Sequence, residues 1–270
     1  TAETHSDLHW LTLTQAAARL KSGELSAESL TNHMLNRIDA HNAELHCYCT
    51  VLGDAARERA AELDAKRARG EVLGGLHGVP IGLKDLLNTR GVPTASGTTV
   101  MANYIPDSDA TVVELLERAG AIVLGKLQLT EGAYGSHHPS ITAPVNPWDS
   151  KLWSGVSSSG SGVSVAAGLA FAALGSDTGG SIRFPSVANG LVGIKPTYGR
   201  VSRWGAFPLG ESLDHIGPLT RSVEDAAQVL QIIAGHDPRD PNSLSDESPN
   251  FFEKIDEGVA GLRFGIDWNY

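Results

Sequence analysis

Two glycine- and serine-rich stretches hold groups that could perform nucleophilic chemistry. They cover residues 154–162 and 175–185. In the second stretch, Gly179 and Gly180 permit backbone conformations that few other residues adopt, so successive N–H groups can point at one spot, as an oxyanion hole requires. Ser181 could present its hydroxyl to the same spot. A linker is the alternative for the first stretch, although an apolar segment follows it directly, and an ordinary turn is equally compatible with the second.

A third stretch, residues 77–85, ends shortly after a lysine that follows an apolar strand. Such a lysine usually extends its ammonium group into solvent. Lys84, however, lies between Leu83 and Leu86, which favours burial as the alternative. A dry environment disfavours the charged amine and lowers the lysine pKa from about 10.4. A neutral Lys84 near a serine hydroxyl could then serve as a general base.

Other chemistries lack residues that they need. Residues 120–126 match most of a phosphate-loop pattern, but the next residue is Leu127, which has no hydroxyl for a metal ion, and the intervening residues are typical of a strand. No serine stands in the G-x-S-x-G pattern of a nucleophile elbow, and neither S-x-x-K nor H-E-x-x-H occurs. The His/Cys cluster at 46–49 and the histidine pair at 137–138 lack further ligands at zinc spacing, so we predict no metal site.

The three stretches together closely resemble the amidase signature hydrolases. That family is marked by a G-x-P-x-x-x-K-D strand end, here residues 78–85, by a Gly/Ser-rich segment, and by D-x-G-G-S-x-R, here residues 177–183. The marks occur in the family's order, and Ser181 follows Ser157 by 24 residues, which is the separation the family uses. The resemblance extends from about residue 73 to residue 218, and the combination is far more specific than any single motif.

The resemblance implies a Ser–Ser–Lys catalytic triad. In it, Ser181 is the acyl nucleophile, Ser157 is a bridging serine that follows a cis peptide bond, and Lys84 is the base. The backbone amides expected to form the oxyanion hole are those of Thr178, Gly179, Gly180 and Ser181. No metal and no cofactor is required, because attack on a carboxamide gives an acyl-enzyme, ammonia or an amine leaves, and water releases the acid.

The Gly/Ser-rich segment departs from the family pattern, because Val156 and Ser159 replace glycines. The departure leaves two candidates, Ser157 and Ser158, for the bridging serine. The separation from Ser181 favours Ser157.

Asp177 and Arg183 flank the turn that carries Ser181. We expect this pair to brace the turn through hydrogen bonds, since such pairs commonly support preorganised loops. The alternative is that Arg183 holds an anionic group of the substrate.

Differences between subgroups of the family favour a general amidase. The tRNA-linked members usually carry Gln after the signature arginine, where this chain has Phe184. We therefore predict a soluble, cytoplasmic, serine-type amidase that acts on a small-molecule linear amide. The alternative is a non-catalytic or partner-dependent subunit of the same fold, for example part of an amidotransferase. Phe184, Trp204 and Phe207 are candidates for an apolar pocket, with core packing as the favoured use of each.

The patterns around these stretches predict alternating helices and strands, which must position the site. Helices are expected at residues 15–21 with Thr14 as N-cap, from Ser26 through Ile38, through Ala119 with Asp109 as N-cap, and at 54–70, 163–174 and 223–234. Strands are expected at 46–52, 79–83, 121–124, 191–194 and 261–268. This alternation predicts an α/β fold with a central mixed sheet flanked by helices on both faces.

We expect residues 1–70 to form a helical layer of the same domain and residues 71–270 to form the amidase signature core. The core is expected to be incomplete at its C-terminus, because members of the family are considerably longer than 270 residues. A homodimer or a companion chain that carries the rest of the fold could complete it.

Composition and charge indicate which other classes of protein can be excluded. Apolar residues make up 41% of the chain, which is enough for a sizeable core. The 21 basic and 31 acidic residues give a net charge of −10, so no general attraction to nucleic acid or to anionic membranes is expected. Two cysteines cannot form a disulfide framework, and neither a signal peptide nor a membrane span is predicted.

Overall fold

The computed structural model describes residues 5–268, and every count given for the structure refers to that part of the chain. Residues 1–4 of the predicted helical layer and residues 269–270 of the predicted core lie outside it. The six strands are β1 (Tyr48–Val51), β2 (Pro80–Lys84), β3 (Ile122–Leu127), β4 (Ala172–Asp177), β5 (Val192–Gly193) and β6 (His215–Thr220). The seven α-helices are α1 (Leu13–Ser22), α2 (Ala27–Leu45), α3 (Gly53–Ala68), α4 (Thr111–Arg118), α5 (Ser159–Ala166), α6 (Arg183–Asn189) and α7 (Val223–Ile233).

The strands form one mixed sheet in the order β1-β3-β2-β4-β6-β5, with helices on both faces, so the predicted fold class is confirmed. The central strands β3, β2 and β4 run parallel, whereas β1 pairs antiparallel with β3 and β6 pairs antiparallel with β4. Parallel strands bring their carboxyl ends to one edge of a sheet, which is where ligand sites of α/β folds form. Lys84 ends β2 and Asp177 ends β4, so this edge carries both.

The core is one contiguous cluster of buried apolar side chains that extends from α1 and α2 across the sheet to α7. Ser26 caps α2 by accepting the Ser29 N–H at 3.1 Å. Leu30, Met34 and Ile38 of that helix are all buried, as their spacing by four predicts. No helix in residues 5–268 is long and apolar enough to cross a membrane.

Two predicted N-caps are wrong. Thr12, not Thr14, caps α1, because the Thr12 hydroxyl accepts the Gln15 N–H at 3.1 Å while the Gln15 side chain accepts the Thr12 N–H at 2.9 Å. This reciprocal pair is a capping box. Helix α4 begins without a side-chain cap, because the Asp109 carboxylate accepts the Arg90 N–H at 2.7 Å instead.

The helix predicted over residues 163–174 is two elements. Helix α5 ends at Ala166, the chain turns at Gly168, where φ is 66°, and β4 begins at Ala172. Periodicity could not separate them, because a strand buried on both faces is as continuously apolar as a buried helix.

The strand predicted over residues 261–268 is absent, and the residues there are exposed. A strand needs a neighbour for its N–H and C=O groups, and none of the described strands pairs with this segment.

Strand β6 is present in the structure, although the sequence pattern did not predict it. Gly217 and Pro218 are rare inside strands, yet Pro218 pairs with Leu174 of β4, and its carbonyl accepts the Ile194 N–H at 3.1 Å.

Candidate active site

Lys84 is the last residue of β2 and is fully buried, as its leucine neighbours in the sequence predict. Its Nζ lies 2.7 Å from Ser157 Oγ and 2.8 Å from Ser176 Oγ, and it donates to both hydroxyls when it is protonated. No ion pair within residues 5–268 involves this amine. The buried nitrogen therefore has hydroxyl groups, not carboxylates, as its immediate neighbours.

Burial holds the pKa of Lys84 well below its ordinary value. The carboxylates of Asp177 and Asp214 act in the opposite direction but do not offset the loss of hydration. Both carboxylates are bound elsewhere, the first by Arg183 and the second by the Thr178 hydroxyl. The amine consequently releases its proton at a lower pH than a solvated lysine does.

Ser157, rather than Ser158, contacts this lysine. The Val156–Ser157 peptide bond is cis, and the Ser157 hydroxyl faces Lys84 Nζ. The Ser158 hydroxyl instead donates to the Ser176 carbonyl at 3.2 Å and accepts the Ser176 N–H at 3.3 Å. Of the two candidates that the sequence left, Ser157 has the position that a bridging serine needs.

The turn after β4 is built around the buried carboxylate of Asp177. This carboxylate accepts the N–H groups of Gly180 at 2.8 Å and Ile182 at 3.1 Å. The Arg183 guanidinium donates to it twice, through Nε at 3.1 Å and Nη2 at 2.9 Å. Burial opposes ionisation, but these hydrogen bonds outweigh it, so the pKa of Asp177 lies below its ordinary value. Asp177 and Arg183 are thus in the arrangement that bracing of the turn requires.

Ser181 ends this turn and is partly exposed. Its carbonyl accepts the Ser158 N–H at 3.4 Å, so the two serine-bearing segments lie side by side. Within residues 5–268, no hydrogen bond joins the hydroxyl of Ser181 to that of Ser157, whose partner is Lys84. The site therefore brings the three predicted triad residues into one region and shows one of the two hydrogen bonds that the triad needs.

The predicted oxyanion-hole amides share the turn but are not equivalent. The Gly180 N–H is engaged by Asp177. Gly180 has a φ of 135°, and a Cβ at this position would lie 2.3 Å from the Phe184 ring, so only glycine fits. The α-carbon of Gly179, in contrast, faces open space. Room for a reacting carbonyl group therefore exists over Gly179.

A cavity of about 290 Å³ adjoins the turn. Ser176 and Thr178 contribute to its wall on the side of the triad. Trp204 and Phe207 line the cavity, and Phe207 also packs against the core, as the sequence favoured. Phe184 lies outside it and is 46% exposed. The cavity thus combines apolar side chains with polar and charged ones beside the site.

Sequence reasoning did not single out Ser176 and Asp214. Ser176 contacts the amine of Lys84, and Asp214 accepts the Thr178 hydroxyl at 2.5 Å. The sequence signal for Ser176 is only its place directly before the signature Asp177. Asp214 directly precedes β6, the strand that the pattern did not reveal, so its position in the fold could not be anticipated.

No group of three or more His, Cys, Asp or Glu side chains in the described part of the chain is arranged to hold a metal ion. Cys47 is buried, Cys49 is exposed, and both are free thiols. His137 is hydrogen-bonded at 3.0 Å to the hydroxyl of Ser159, and burial lowers the pKa of this histidine.

Comparisons with known proteins agree on one group of enzymes. The Amidase family profile matches residues 29–270. AmiD of Mycobacterium tuberculosis, a protein provisionally assigned as an amidase, is 48% identical over 260 residues, which cover 96% of this chain and 54% of AmiD. A glutamyl-tRNA(Gln) amidotransferase subunit of Anaeromyxobacter dehalogenans is 48% identical over 258 residues, which cover 95% of this chain and 52% of the relative.

Solved structures give the same result. The peptide amidase of Stenotrophomonas maltophilia superimposes with a TM-score of 0.83 at 40% identity, over 89% of this chain and 51% of that chain. The corresponding amidotransferase subunit of Thermotoga maritima superimposes with a TM-score of 0.82 at 36% identity, over 94% of this chain and 53% of the relative. The chain spans about half the length of the relatives it matches.

Proposed function

The chain belongs to the amidase signature family, and from that premise we propose that it hydrolyses a carboxamide C–N bond through an acyl-enzyme on Ser181. The observation that carries the proposal is the fully buried amine of Lys84, which lies 2.7 Å from the hydroxyl of Ser157. A desolvated amine next to a hydroxyl is the arrangement in which lysine acts as a general base in Ser–Lys hydrolases.

In the proposed acylation, proton transfers accompany the attack. Neutral Lys84 takes the proton of the Ser157 hydroxyl while Ser157 takes the proton of Ser181, and Ser181 Oγ forms a bond to the amide carbon. The tetrahedral intermediate then collapses, the C–N bond breaks, and the proton on Lys84 returns through Ser157 to the departing nitrogen. The steps conserve protons, since the base that is charged on attack is neutral again when the amine leaves.

Deacylation repeats the sequence with water as the nucleophile. Water loses a proton through Ser157 to Lys84 and attacks the ester carbon, and the returning proton restores the hydroxyl of Ser181. One amide and one water thus give one carboxylic acid and one amine or ammonia. This cycle requires the hydroxyls of Ser181 and Ser157 to approach within hydrogen-bond distance when substrate is bound, a tightening that is common for catalytic hydrogen bonds.

The oxyanion is proposed to bind at the open side of the turn. Of the four predicted amides, those of Thr178, Gly179 and Ser181 remain candidates as donors. The Gly180 N–H would first have to leave Asp177, to which it donates at 2.8 Å. Its engagement supports an oxyanion hole centred on Gly179, over which space is open.

The substrate is proposed to be a small-molecule amide whose acyl group has an apolar portion. The cavity beside the turn, with its Trp204 and Phe207 wall, supports this assignment. Use of Arg183 to hold a substrate anion is less well supported, because its guanidinium already forms a two-point contact with Asp177.

A second candidate function is that of a partner-dependent component of a larger enzyme. It is favoured by two observations: relatives at 48% identity include an amidotransferase component, and the chain spans 52% of that relative's length. In this case the chain would be active only with a companion chain. Sedimentation and intact mass of the active material separate the two candidates, since full activity in a 28.4 kDa monomer would exclude the second.

A fluorophosphonate probe tests the proposed chemistry. We expect covalent label on Ser181 by peptide mapping, loss of the label in Ser181→Ala, and unchanged labelling in the matched variant Ser140→Ala, whose exposed hydroxyl contacts His138. Absence of label on Ser181 in the folded protein, alone and with its companion chain, would refute a seryl enzyme.

A further inference from the structure

A second lysine, Lys126 of β3, is as fully buried as Lys84 and has no part in the proposed reaction. Its Nζ donates to the Leu87 carbonyl at 2.7 Å and to the Thr94 hydroxyl at 2.8 Å, and it lies 3.4 Å from the carboxylate of Asp85. We propose that the Lys126–Asp85 ion pair is a positioning device that fixes the proposed base relative to the bridging serine. The inference rests on the proposed function for its catalytic consequence, but its geometric part stands without it.

The ion pair joins the ends of two strands on the face of the sheet opposite the proposed base. In the parallel register, Leu83 is paired with Lys126 and Lys84 with Leu127. Side chains alternate along a strand, so Lys126 lies on the Leu83 face and Lys84 on the other. Asp85 directly follows Lys84, and its N–H donates to the Leu127 carbonyl at 2.9 Å. The pair therefore clamps the backbone at the point where β2 delivers Lys84.

On the β2 side, Asp85 also holds the following loop. Its carboxylate accepts the Ala95 N–H at 3.0 Å, and its carbonyl accepts the Ser96 N–H at 3.0 Å. The Ser96 carbonyl in turn accepts the Gly132 N–H at 2.9 Å. The loop that Asp85 orders thus lies against the segment that follows β3.

On the β3 side, the chain continues from Lys126 to the segment that holds Ser157. The Thr130 N–H donates to the Ser157 carbonyl at 3.2 Å, and the Gly160 N–H donates to the Gln128 carbonyl at 2.9 Å. A Cβ at Gly160 would lie 2.5 to 2.7 Å from backbone atoms of Cys47 and Gln128, so the start of α5 is pressed against this segment. Displacement of β3 relative to β2 would therefore move Ser157 relative to Lys84.

The tolerance for such a displacement is small. The contact between Lys84 Nζ and Ser157 Oγ is 2.7 Å, and a shift of about 1 Å at a catalytic contact can cost on the order of 100-fold in rate. A buried ion pair is a weak source of net stability, because desolvation offsets its attraction. Net stability therefore does not explain the ion pair, whereas holding the two strand ends together does.

The test uses the full chain and the fluorophosphonate probe, with the maximal labelling rate and the probe affinity of Ser181 measured separately. In Asp85→Asn and Lys126→Met we expect the maximal rate to fall about 30- to 100-fold with probe affinity within about threefold. Thr94→Val, which removes one hydrogen bond of Lys126 and keeps the charges, should fold and lose about three- to tenfold in rate. All assays run well below each variant's unfolding temperature.

Asp225→Asn is the matched control. Asp225 is also a buried carboxylate that accepts two backbone N–H groups, from Leu13 and Thr14 at 3.0 Å each, but it lies in the first turn of α7 and holds the start of α1. It should lose stability and keep the wild-type labelling rate. Equal rates in the wild type and in the folded Thr94→Val and Asp85→Asn variants would overturn the inference.

A crystal structure of Asp85→Asn gives a readout that does not depend on the reaction. We expect the distance between Lys84 Nζ and Ser157 Oγ to exceed about 3.5 Å, beyond a hydrogen bond. An unchanged distance would overturn the inference even if the protein is an amidase. A wild-type protein that is never labelled on Ser181 would refute the proposed function, while the distance still decides the geometric claim.

Discussion

Two lysines on neighbouring strands of this molecule are equally buried but have different partners. Lys84 and Lys126 are both 0% exposed, and they lie one step apart in the parallel register, on opposite faces of the sheet. The amine of Lys84 contacts the hydroxyls of Ser157 and Ser176. The amine of Lys126 contacts a carboxylate, a backbone carbonyl and one hydroxyl.

The difference shows that the nearest partner, not burial, decides what a buried lysine can do. Burial lowers the pKa of both amines. At Lys126 the adjacent Asp85 carboxylate opposes that shift from 3.4 Å. At Lys84 the opposing carboxylates belong to Asp177 and Asp214, which do not touch the amine, and its pKa falls well below the ordinary value. Lys84, with only hydroxyls beside its amine, is therefore suited to exchange protons, whereas the Asp85 carboxylate beside Lys126 favours the charged form of that lysine.

Lys84→Met should produce the largest effect. It removes the proposed base while keeping an apolar side chain of similar length, and we expect a loss of about 10⁴-fold or more in the labelling rate of Ser181. The check is fluorophosphonate labelling together with thermal unfolding, which should show a folded protein. A labelling rate within tenfold of wild type would show that Lys84 is not the base. The proposed difference in function between Lys84 and Lys126 would then be wrong.

Ser157→Ala and Ser158→Ala sharpen the assignment of the lysine's partner. Loss of the Ser157 hydroxyl breaks the proton path, so we expect a loss of about 10²- to 10⁴-fold in labelling rate. Loss of the Ser158 hydroxyl removes only contacts to the Ser176 backbone and should cost about tenfold or less. The reverse order would assign the bridging role to Ser158.

The free energy of unfolding should fall more on loss of Lys126 than on loss of Lys84, the reverse of the order expected for the labelling rate. Lys126→Met leaves the carboxylate of Asp85 buried without its cation, which costs about 3–5 kcal/mol. Lys84→Met leaves only hydroxyl groups without their partner, and these can donate to other acceptors. The free energy of unfolding should therefore change by about 2 kcal/mol or less. Urea unfolding at neutral pH measures both. Equal losses would mean that both amines are held as charges.

The pH dependence of stability gives the most gradual effect. The pKa of Lys84 is lower in the folded chain than in the unfolded chain, so between these two values the unfolded state binds more protons. Wild-type stability relative to Lys84→Met should therefore rise with pH across that window, by up to about 1.36 kcal/mol per unit, and level off near pH ~10.4. A difference that stays flat or falls over this range would contradict a desolvated amine.

Much of the site could be predicted from the sequence, because its parts lie in short contiguous motifs. Burial of Lys84 followed from its apolar neighbours, and the turn around Gly179 and Gly180 followed from their backbone freedom. Spacing favoured Ser157 over Ser158, but the contact of the Ser157 hydroxyl with Lys84 required the structure, because adjacent residues in a tight turn point in different directions. The sequence pattern likewise assigned no partner to Lys126.

The fold was predictable where periodicity was clear and not where burial was complete. The amphipathic helix α2 was found through Leu30, Met34 and Ile38. Residues 163–174 are almost all apolar, so their periodicity did not reveal the turn at Gly168 between a helix and a strand. Pro218 concealed β6, because the neighbouring strands that accommodate it are remote in the sequence.

Direct titration of the two amines tests the central claim most closely. With lysines labelled at the ε-carbon, NMR resonances of Lys84 and Lys126 can be assigned through Lys84→Met and Lys126→Met and followed against pH. We predict that Lys84 loses its proton well below the value of about 10.4 for a solvated lysine, and at a lower pH than Lys126 does. If Lys84 keeps its proton to a higher pH than Lys126, the account of a neutral base at the end of β2 is wrong.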